Sequence, residues 1–224
     1  MSEPVRRFRP FLTVTLPVGV AVALVCLALF ALIGSAAVAQ TITLDLDATE
    51  APRKIYHARL VMPAQAGPMT LYYPKWNPGE HGPTGPVTDL AGLKIAAGGK
   101  AVAWRCDEVD MYTFLIDVPA GAASIEVALD YLSPPSSAEG LSSAASGTAQ
   151  MATINWNQVL LYPAGRPARD LTVQANVTLP AGWKLGTALP VASWSGSRAS
   201  FGPVSLETLV DSPVICGAFF REVP

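Results

Sequence analysis

Side chains that carry out catalysis are scarce in this sequence. It has two histidines, His57 and His81, and neither lies in a His-Glu-x-x-His pattern, the helical arrangement that presents two imidazoles to zinc. There is no Gly-x-Ser-x-Gly elbow, and nothing in the sequence positions a histidine as the base of a Ser-His-Asp triad. The sequence therefore predicts no catalytic centre and no metal site on this chain.

Charge and cysteine are also sparse. A formal net charge of −2, without a basic stripe, makes nucleic acid an unexpected partner. Of three cysteines, Cys26 lies in an apolar N-terminal run, while Cys106 and Cys216 are far apart and do not make a disulfide framework. Export would permit these two to pair. The alternative is that both are small buried side chains.

The first 39 residues indicate export. Arg6, Arg7 and Arg9 precede an uncharged run at 11–33, and Ala37-Val38-Ala39 offers a cleavage site before Gln40. The order basic, apolar, small is that of a signal peptide. The run is also about as long as the roughly 20 residues that span a bilayer, so an uncleaved membrane anchor is the alternative. Residues 40–224 are then expected to form one periplasmic domain, with membrane contact only if the segment is retained.

Apolar and polar residues alternate through much of the chain after residue 40. Because successive side chains of a strand point to opposite faces, this alternation predicts half-buried strands. The clearest stretches are 41–47, 111–118, 124–131 and 171–179, and weaker ones are 55–62, 69–73, 93–95, 101–106, 154–161 and 214–220. Turns are predicted at Pro-Ala-Gly 119–121, 163–165 and 180–182 and at Gly98-Gly99, and one helical turn within 204–210.

This pattern predicts an all-β fold, an antiparallel β-sandwich preceded by the hydrophobic signal helix. Residues 133–150 depart from it, because they are mostly Ser, Ala, Gly and Pro and have few large side chains to bury. We expect them to form a long loop within one sandwich. The alternative is a linker between two subdomains.

The most distinctive stretch is 71–86, LYYPKWNPGEHGPTGP. Proline removes backbone donors and glycine weakens strand pairing, so this segment should be a shaped loop that follows a strand. In the structural interpretation it is a rigid turn whose aromatic residues cap the core. In the functional interpretation Trp76, Glu80 and His81 line a ligand or partner surface.

The run 72–83 resembles the Trp-x-Pro-Gly signature in the N-terminal domain of metallopeptidase family sixty-one, the glycyl aminopeptidase family. Blocks at 89–93, 110–114, 156–163 and 209–213 fit the same family in the same order, so the resemblance covers about residues 41–220. It implies a β-sandwich domain. In relatives this is followed by a thermolysin-like zinc domain that removes N-terminal residues, preferring glycine or alanine, and often by a PDZ domain.

On this resemblance, the chain is expected to be the non-catalytic N-terminal domain of an exported zinc aminopeptidase, in truncated or split form. Its partner would be a peptidase catalytic domain, in cis or in trans, and with it a peptide. Zinc is expected only in that catalytic domain, and no cofactor is expected on this chain. The residues expected at an inter-domain or substrate rim are Tyr73, Trp76, Glu80, His81, Trp156, Asn157 and Gln158.

Two further interpretations remain open. One is a free-standing periplasmic module that holds a peptide or a protein partner, for example by adding a strand to an exposed sheet edge. The other is an independent hydrolase with an unrecognised site. A sandwich without its partner should expose an apolar patch, which predicts weak self-association or poor solubility.

Overall fold

Three β-sheets make up most of the protein in the computed structural model, which describes residues 41–76, 81–134 and 147–222. The predicted signal segment, Glu80 and residues 135–146 lie outside the described residues. No helix in the described ranges is long and apolar enough to cross a membrane. The strands are β1 (Ile42–Asp47), β2 (Ile55–Pro63), β3 (Gly67–Tyr72), β4 (Leu90–Ala97), β5 (Lys100–Val102), β6 (Trp104–Cys106), β7 (Thr113–Val118), β8 (Ser124–Leu132), β9 (Met151–Ile154), β10 (Tyr162–Pro163), β11 (Thr172–Thr178), β12 (Lys184–Gly186), β13 (Val191–Ser195), β14 (Arg198–Phe201), β15 (Val204–Ser205) and β16 (Val214–Gly217).

The largest sheet has nine strands in the order β13-β14-β11-β1-β2-β8-β4-β5, with β15 also on β11. A four-stranded sheet runs β10-β3-β7-β6, and a three-stranded sheet runs β12-β16-β9. The pairs are antiparallel, as predicted, except that β1 lies parallel to β11. Parallel neighbours need a long crossover connection, and most of the domain lies between these two strands in sequence, so local periodicity could not reveal the pair.

The alternating residues pack one face of the large sheet into the core. On β2 the buried side chains are Tyr56, Ala58, Leu60 and Met62, and β8 pairs with it from Ile55 opposite Leu132 to Pro63 opposite Ser124. The opposite face carries polar side chains such as His57 and Asp130. The described residues share one contiguous apolar core, which confirms a mostly β, sandwich-like fold.

Two weak strand predictions were wrong in detail. Residues 154–161 do not form one strand, because β9 ends at Ile154 and a 3-10 turn follows at Trp156–Gln158. The three residues of this turn are all buried, which differs from the alternate burial predicted for a half-exposed strand. The stretch 101–106 divides between β5 and β6, which belong to different sheets.

Turns form at all four predicted positions, Gly98-Gly99 and the three Pro-Ala-Gly segments. Gly98 and Gly99 join β4 to β5 with φ of +55° and +76°, a conformation that glycine adopts without steric cost. The short helix α1 (Leu206–Val210) begins after Ser205, whose hydroxyl accepts the Thr208 backbone N–H at 3.0 Å. Strands β12, β13 and β14 were not predicted. β12 and β14 are only three and four residues long, and β13 is exposed along its whole length, so its sequence shows no alternation.

Candidate functional site

Four of the seven residues predicted to lie at a rim are buried in the core and support the loop that follows β3. Tyr73 and Trp156 are fully buried, and Asn157 and Gln158 almost so. The Tyr73 hydroxyl donates to the Gln158 carbonyl oxygen at 3.0 Å, which joins two blocks that are far apart in sequence. These side chains have almost no exposed surface for a partner or substrate, so their expected place at a rim is corrected to a structural one.

The Trp156 indole is held by one hydrogen bond and one aromatic contact. Its Nε1 donates to the Ser212 carbonyl oxygen at 2.9 Å, and its ring meets Phe201 edge to face with centroids 5.9 Å apart. A buried indole N–H needs an acceptor, and this bond supplies it. These contacts fix the 3-10 turn at Trp156–Gln158, and the bond from Tyr73 joins it to the start of the loop that carries Trp76.

The loop after β3 folds back across its own start. The Gly85 N–H donates to the Lys75 carbonyl oxygen at 3.0 Å, and the Tyr112 hydroxyl donates to the Pro83 carbonyl oxygen at 2.8 Å. A Cβ on Gly85 would overlap the Pro74 carbonyl oxygen and lie 3.1 Å from the Tyr112 ring. Glycine at 85 is therefore required for this close crossing, and the loop is a shaped one, as predicted.

Lys75 is held by two partners at the base of this loop. Its ammonium lies 3.1 Å from the Asp110 carboxylate and 5.4 Å from the centroid of the Tyr112 ring. The hydrogen bond from Lys75, with that from the Tyr112 backbone N–H, holds the pKa of Asp110 below its usual range. The charge of Lys75 is thus engaged by this chain.

Trp76 stands out from the loop with 62% of its surface exposed. It borders a groove of about 390 Å³ between the loop and helix α1, which we name the Trp76 groove. The lining residues are Pro74, Lys75, Trp76, Tyr162, Ala168, Leu206, Glu207, Val210 and Asp211. Of the remaining predicted residues, His81 is exposed.

A second exposed surface lies on the three-stranded sheet. Met151 on β9, Ile215 on β16 and Phe219 just beyond it are large apolar side chains exposed to solvent, with Phe219 at 78%. All three line one groove of about 330 Å³ together with Phe220. We name Met151, Ile215 and Phe219 the C-terminal apolar patch.

The outer face of the large sheet carries a histidine–aspartate pair. His57 Nδ1 lies 2.7 Å from Asp130 Oδ1, and both side chains are partly exposed. Both residues line a shallow depression on this face. A nucleophile for the pair would have to be a hydroxyl, and the only one among the described lining residues belongs to Thr178, which has no hydrogen bond to His57. In the described ranges no three metal-ligating side chains lie close enough together to hold an ion.

Comparison with known proteins assigns the family. The family model described as Peptidase M61 N-terminal domain matches residues 43–218. An aminopeptidase N family protein from Idiomarina loihiensis superposes with a TM-score of 0.63 at 18% identity, over 79% of this chain and 29% of that one. An M1 zinc metallopeptidase from Deinococcus radiodurans gives a TM-score of 0.47 at 14% identity, over 80% of this chain and 41% of that one. No curated protein matches the sequence.

At such identities the structural likeness concerns the fold alone. This chain spans 29% of the length of the Idiomarina loihiensis protein, so the likeness is to one portion of a longer polypeptide. The family match covers nearly all the described residues, including the loop that carries Trp76, the turn at Trp156–Gln158 and the whole of β16. The chain belongs to the Peptidase M61 N-terminal domain family.

Proposed function

We propose that this chain is the non-catalytic N-terminal domain of an exported zinc aminopeptidase and that it braces a peptidase catalytic domain, in the same polypeptide or in a separate one. Family membership supports the association with a peptidase. The basic, apolar and small-residue order of the first 39 residues supports export to the periplasm. Zinc would belong to the catalytic domain.

The C-terminal apolar patch is the observation that carries the bracing role. Contiguous apolar surface on a folded domain marks an interaction site, because its exposure to water is unfavourable. Phe219 follows directly on the last residue of the family match, at 218. In a two-domain enzyme the chain continues from this point, so the next domain would begin beside the patch and cover it.

The finer part of the proposal concerns the rim of the substrate cleft. Trp76 and His81 are exposed on the loop after β3, and Glu80 belongs to the same loop in sequence. We place these three at the rim. Tyr73 and the Trp156–Gln158 turn would act indirectly, by holding the loop in position.

The test is binding of the full chain, in mild detergent, to a separately produced catalytic domain of an M61 peptidase from the same organism. Ile215→Ser and Phe219→Ser should each weaken binding about tenfold or more, because a buried large apolar side chain contributes about 1.5–3 kcal/mol. Val191→Ser is the matched control, since Val191 is 50% exposed and Ile215 53%. Absence of binding, or equal losses in all three variants, would refute the bracing role.

A free-standing peptide-binding module is the second candidate. The observation that favours it is β13, an edge strand of the nine-stranded sheet, whose five residues are all exposed. An edge strand presents unpaired N–H and C=O groups that can accept an added strand. Backbone amides of β13 that become protected from hydrogen exchange on addition of peptide would support this candidate, and unchanged exchange would exclude it.

A further inference from the structure

The Trp76 groove combines an apolar wall with uncompensated negative charge. Tyr162, Leu206 and Val210 face it with Trp76, and Glu207 and Asp211 add two exposed carboxylates. Neither carboxylate forms an ion pair with any residue in the described parts of the chain. The groove therefore offers aromatic, apolar and anionic groups to one occupant.

The single cation among the described lining residues does not neutralise this charge. Lys75 is bonded to Asp110 at 3.1 Å and lies over the Tyr112 ring. Its ammonium is thus directed to groups outside the groove lining. An anionic occupant would be repelled by the Glu207 and Asp211 carboxylates, because no free cation among the described lining residues neutralises their charge. Charge complementarity therefore favours a cationic occupant.

We propose that the Trp76 groove binds an extended peptide segment that carries an arginine or lysine flanked by apolar residues. The cation lies against the face of the Trp76 indole and within reach of the Glu207 and Asp211 carboxylates. The flanking apolar side chains contact Tyr162 and Leu206. This role concerns a surface other than the C-terminal apolar patch, so either one can hold without the other.

The groove is already formed before any ligand binds. The crossing at Gly85 and the bond from Tyr73 to Gln158 fix the loop on either side of Trp76. A preformed site avoids the cost of ordering a loop on binding. One exposed cation–π contact and two exposed ion pairs together favour arginine over a neutral residue by about tenfold in affinity.

The experiment uses the full chain in mild detergent with 5-fluorotryptophan at its five tryptophans, followed by fluorine NMR. The probes are acetyl-Leu-Arg-Leu-amide, acetyl-Leu-Gln-Leu-amide and acetyl-Leu-Glu-Leu-amide. The Trp76 resonance, assigned with Trp76→Phe, should shift saturably, with the arginine peptide about tenfold tighter than the glutamine peptide and the glutamate peptide weakest. Trp194, exposed at 42%, is the internal control and should not shift.

Variants identify the groups that select the cation. Glu207→Gln together with Asp211→Asn should abolish the preference for arginine, whereas Glu126→Gln, an exposed acid on the outer face of β8, should leave it intact. Unchanged resonances of the buried tryptophans show that each variant is folded. Equal affinity for arginine and glutamine peptides, or parallel shifts of Trp194, would overturn the proposal. So would a Trp76 shift that follows protein concentration without peptide, since a second copy would then occupy the groove.

Discussion

Replacement of Tyr73 by phenylalanine tests whether the start of the loop after β3 is joined to the turn at Trp156–Gln158, as the structure shows. Tyr73 is fully buried, and its hydroxyl donates to the Gln158 carbonyl oxygen at 3.0 Å. Burial raises the pKa of this phenol above its ordinary value, so the hydroxyl is a neutral donor at any physiological pH. Tyr73→Phe removes that donor and leaves the ring in place.

The expected loss is about 1–2 kcal/mol in the free energy of unfolding. A neutral intramolecular hydrogen bond contributes about 0.5–1.5 kcal/mol net, and a buried acceptor that loses its donor adds a desolvation cost. Tyr56 provides a matched control, because it is equally buried and its hydroxyl has no hydrogen-bond partner in the described residues. Tyr56→Phe should therefore leave the stability unchanged or raise it slightly.

Urea unfolding of the full chain, followed by far-ultraviolet circular dichroism, measures both variants. Tyr73→Phe should lower the midpoint with an unchanged dependence on urea, which identifies a loss of stability rather than a change in the unfolded state. The melting temperature should fall by about 2–8 °C, since about 1 kcal/mol corresponds to about 2–4 °C in a domain of this size. A Tyr73→Phe protein as stable as Tyr56→Phe would show that the bond to Gln158 does not hold the loop.

Three further variants probe the core, the loop crossing and the response to alkali. Trp156→Phe should cost about 2–4 kcal/mol through lost volume and a lost hydrogen bond, and Trp194→Phe less than about 1 kcal/mol, by urea unfolding. Gly85→Ala should cost about 1–3 kcal/mol by overpacking, while Gly82→Ala, whose Cβ would meet open space, should change stability by less than about 0.5 kcal/mol; equal effects would contradict the crossing. Burial raises the pKa of the Cys216 thiol to about 12, so between about pH 9 and 12 the thiol is protonated in the folded protein and ionised in the unfolded one. The stability that the buried thiol contributes is therefore complete below about pH 9 and is lost as pH rises toward 12. Cys216→Ala should flatten the fall in stability between about pH 9 and 11 by up to about 1.4 kcal/mol per pH unit, and an unchanged slope would contradict the thiol's burial.

The strands with clear alternation could be predicted because their pattern reflects burial on one face. Residues 124–131 became β8 and 171–179 became β11, with the expected side chains inward. A loop after β3 was predictable from the prolines and glycines of the stretch 71–86, although Leu71 and Tyr72 belong to β3 itself. In each case a local rule and the tertiary environment agree, which is when sequence patterns succeed.

The site itself depended on contacts that no local pattern contains. Trp156, Asn157 and Gln158 are consecutive and all buried, and the contacts of this turn are with residues distant in sequence, Ser212, Phe201 and Tyr73. Glu207 on helix α1 and Asp211 just after it come to lie beside the Trp76 loop only in the folded chain. Ile215 is a large apolar residue that β16 exposes to solvent, and its neighbours in sequence are apolar too, so the sequence did not distinguish it as outward-facing.

Hydrogen exchange of the full chain, with and without the M61 catalytic domain, tests the bracing role most directly. If the C-terminal apolar patch receives that domain, the amides of β9 and β16 should exchange more slowly in the complex. Those of the edge strand β13 should exchange at the same rate in both states. Slower exchange confined to β13, or no change anywhere in the presence of a bound catalytic domain, would contradict the account.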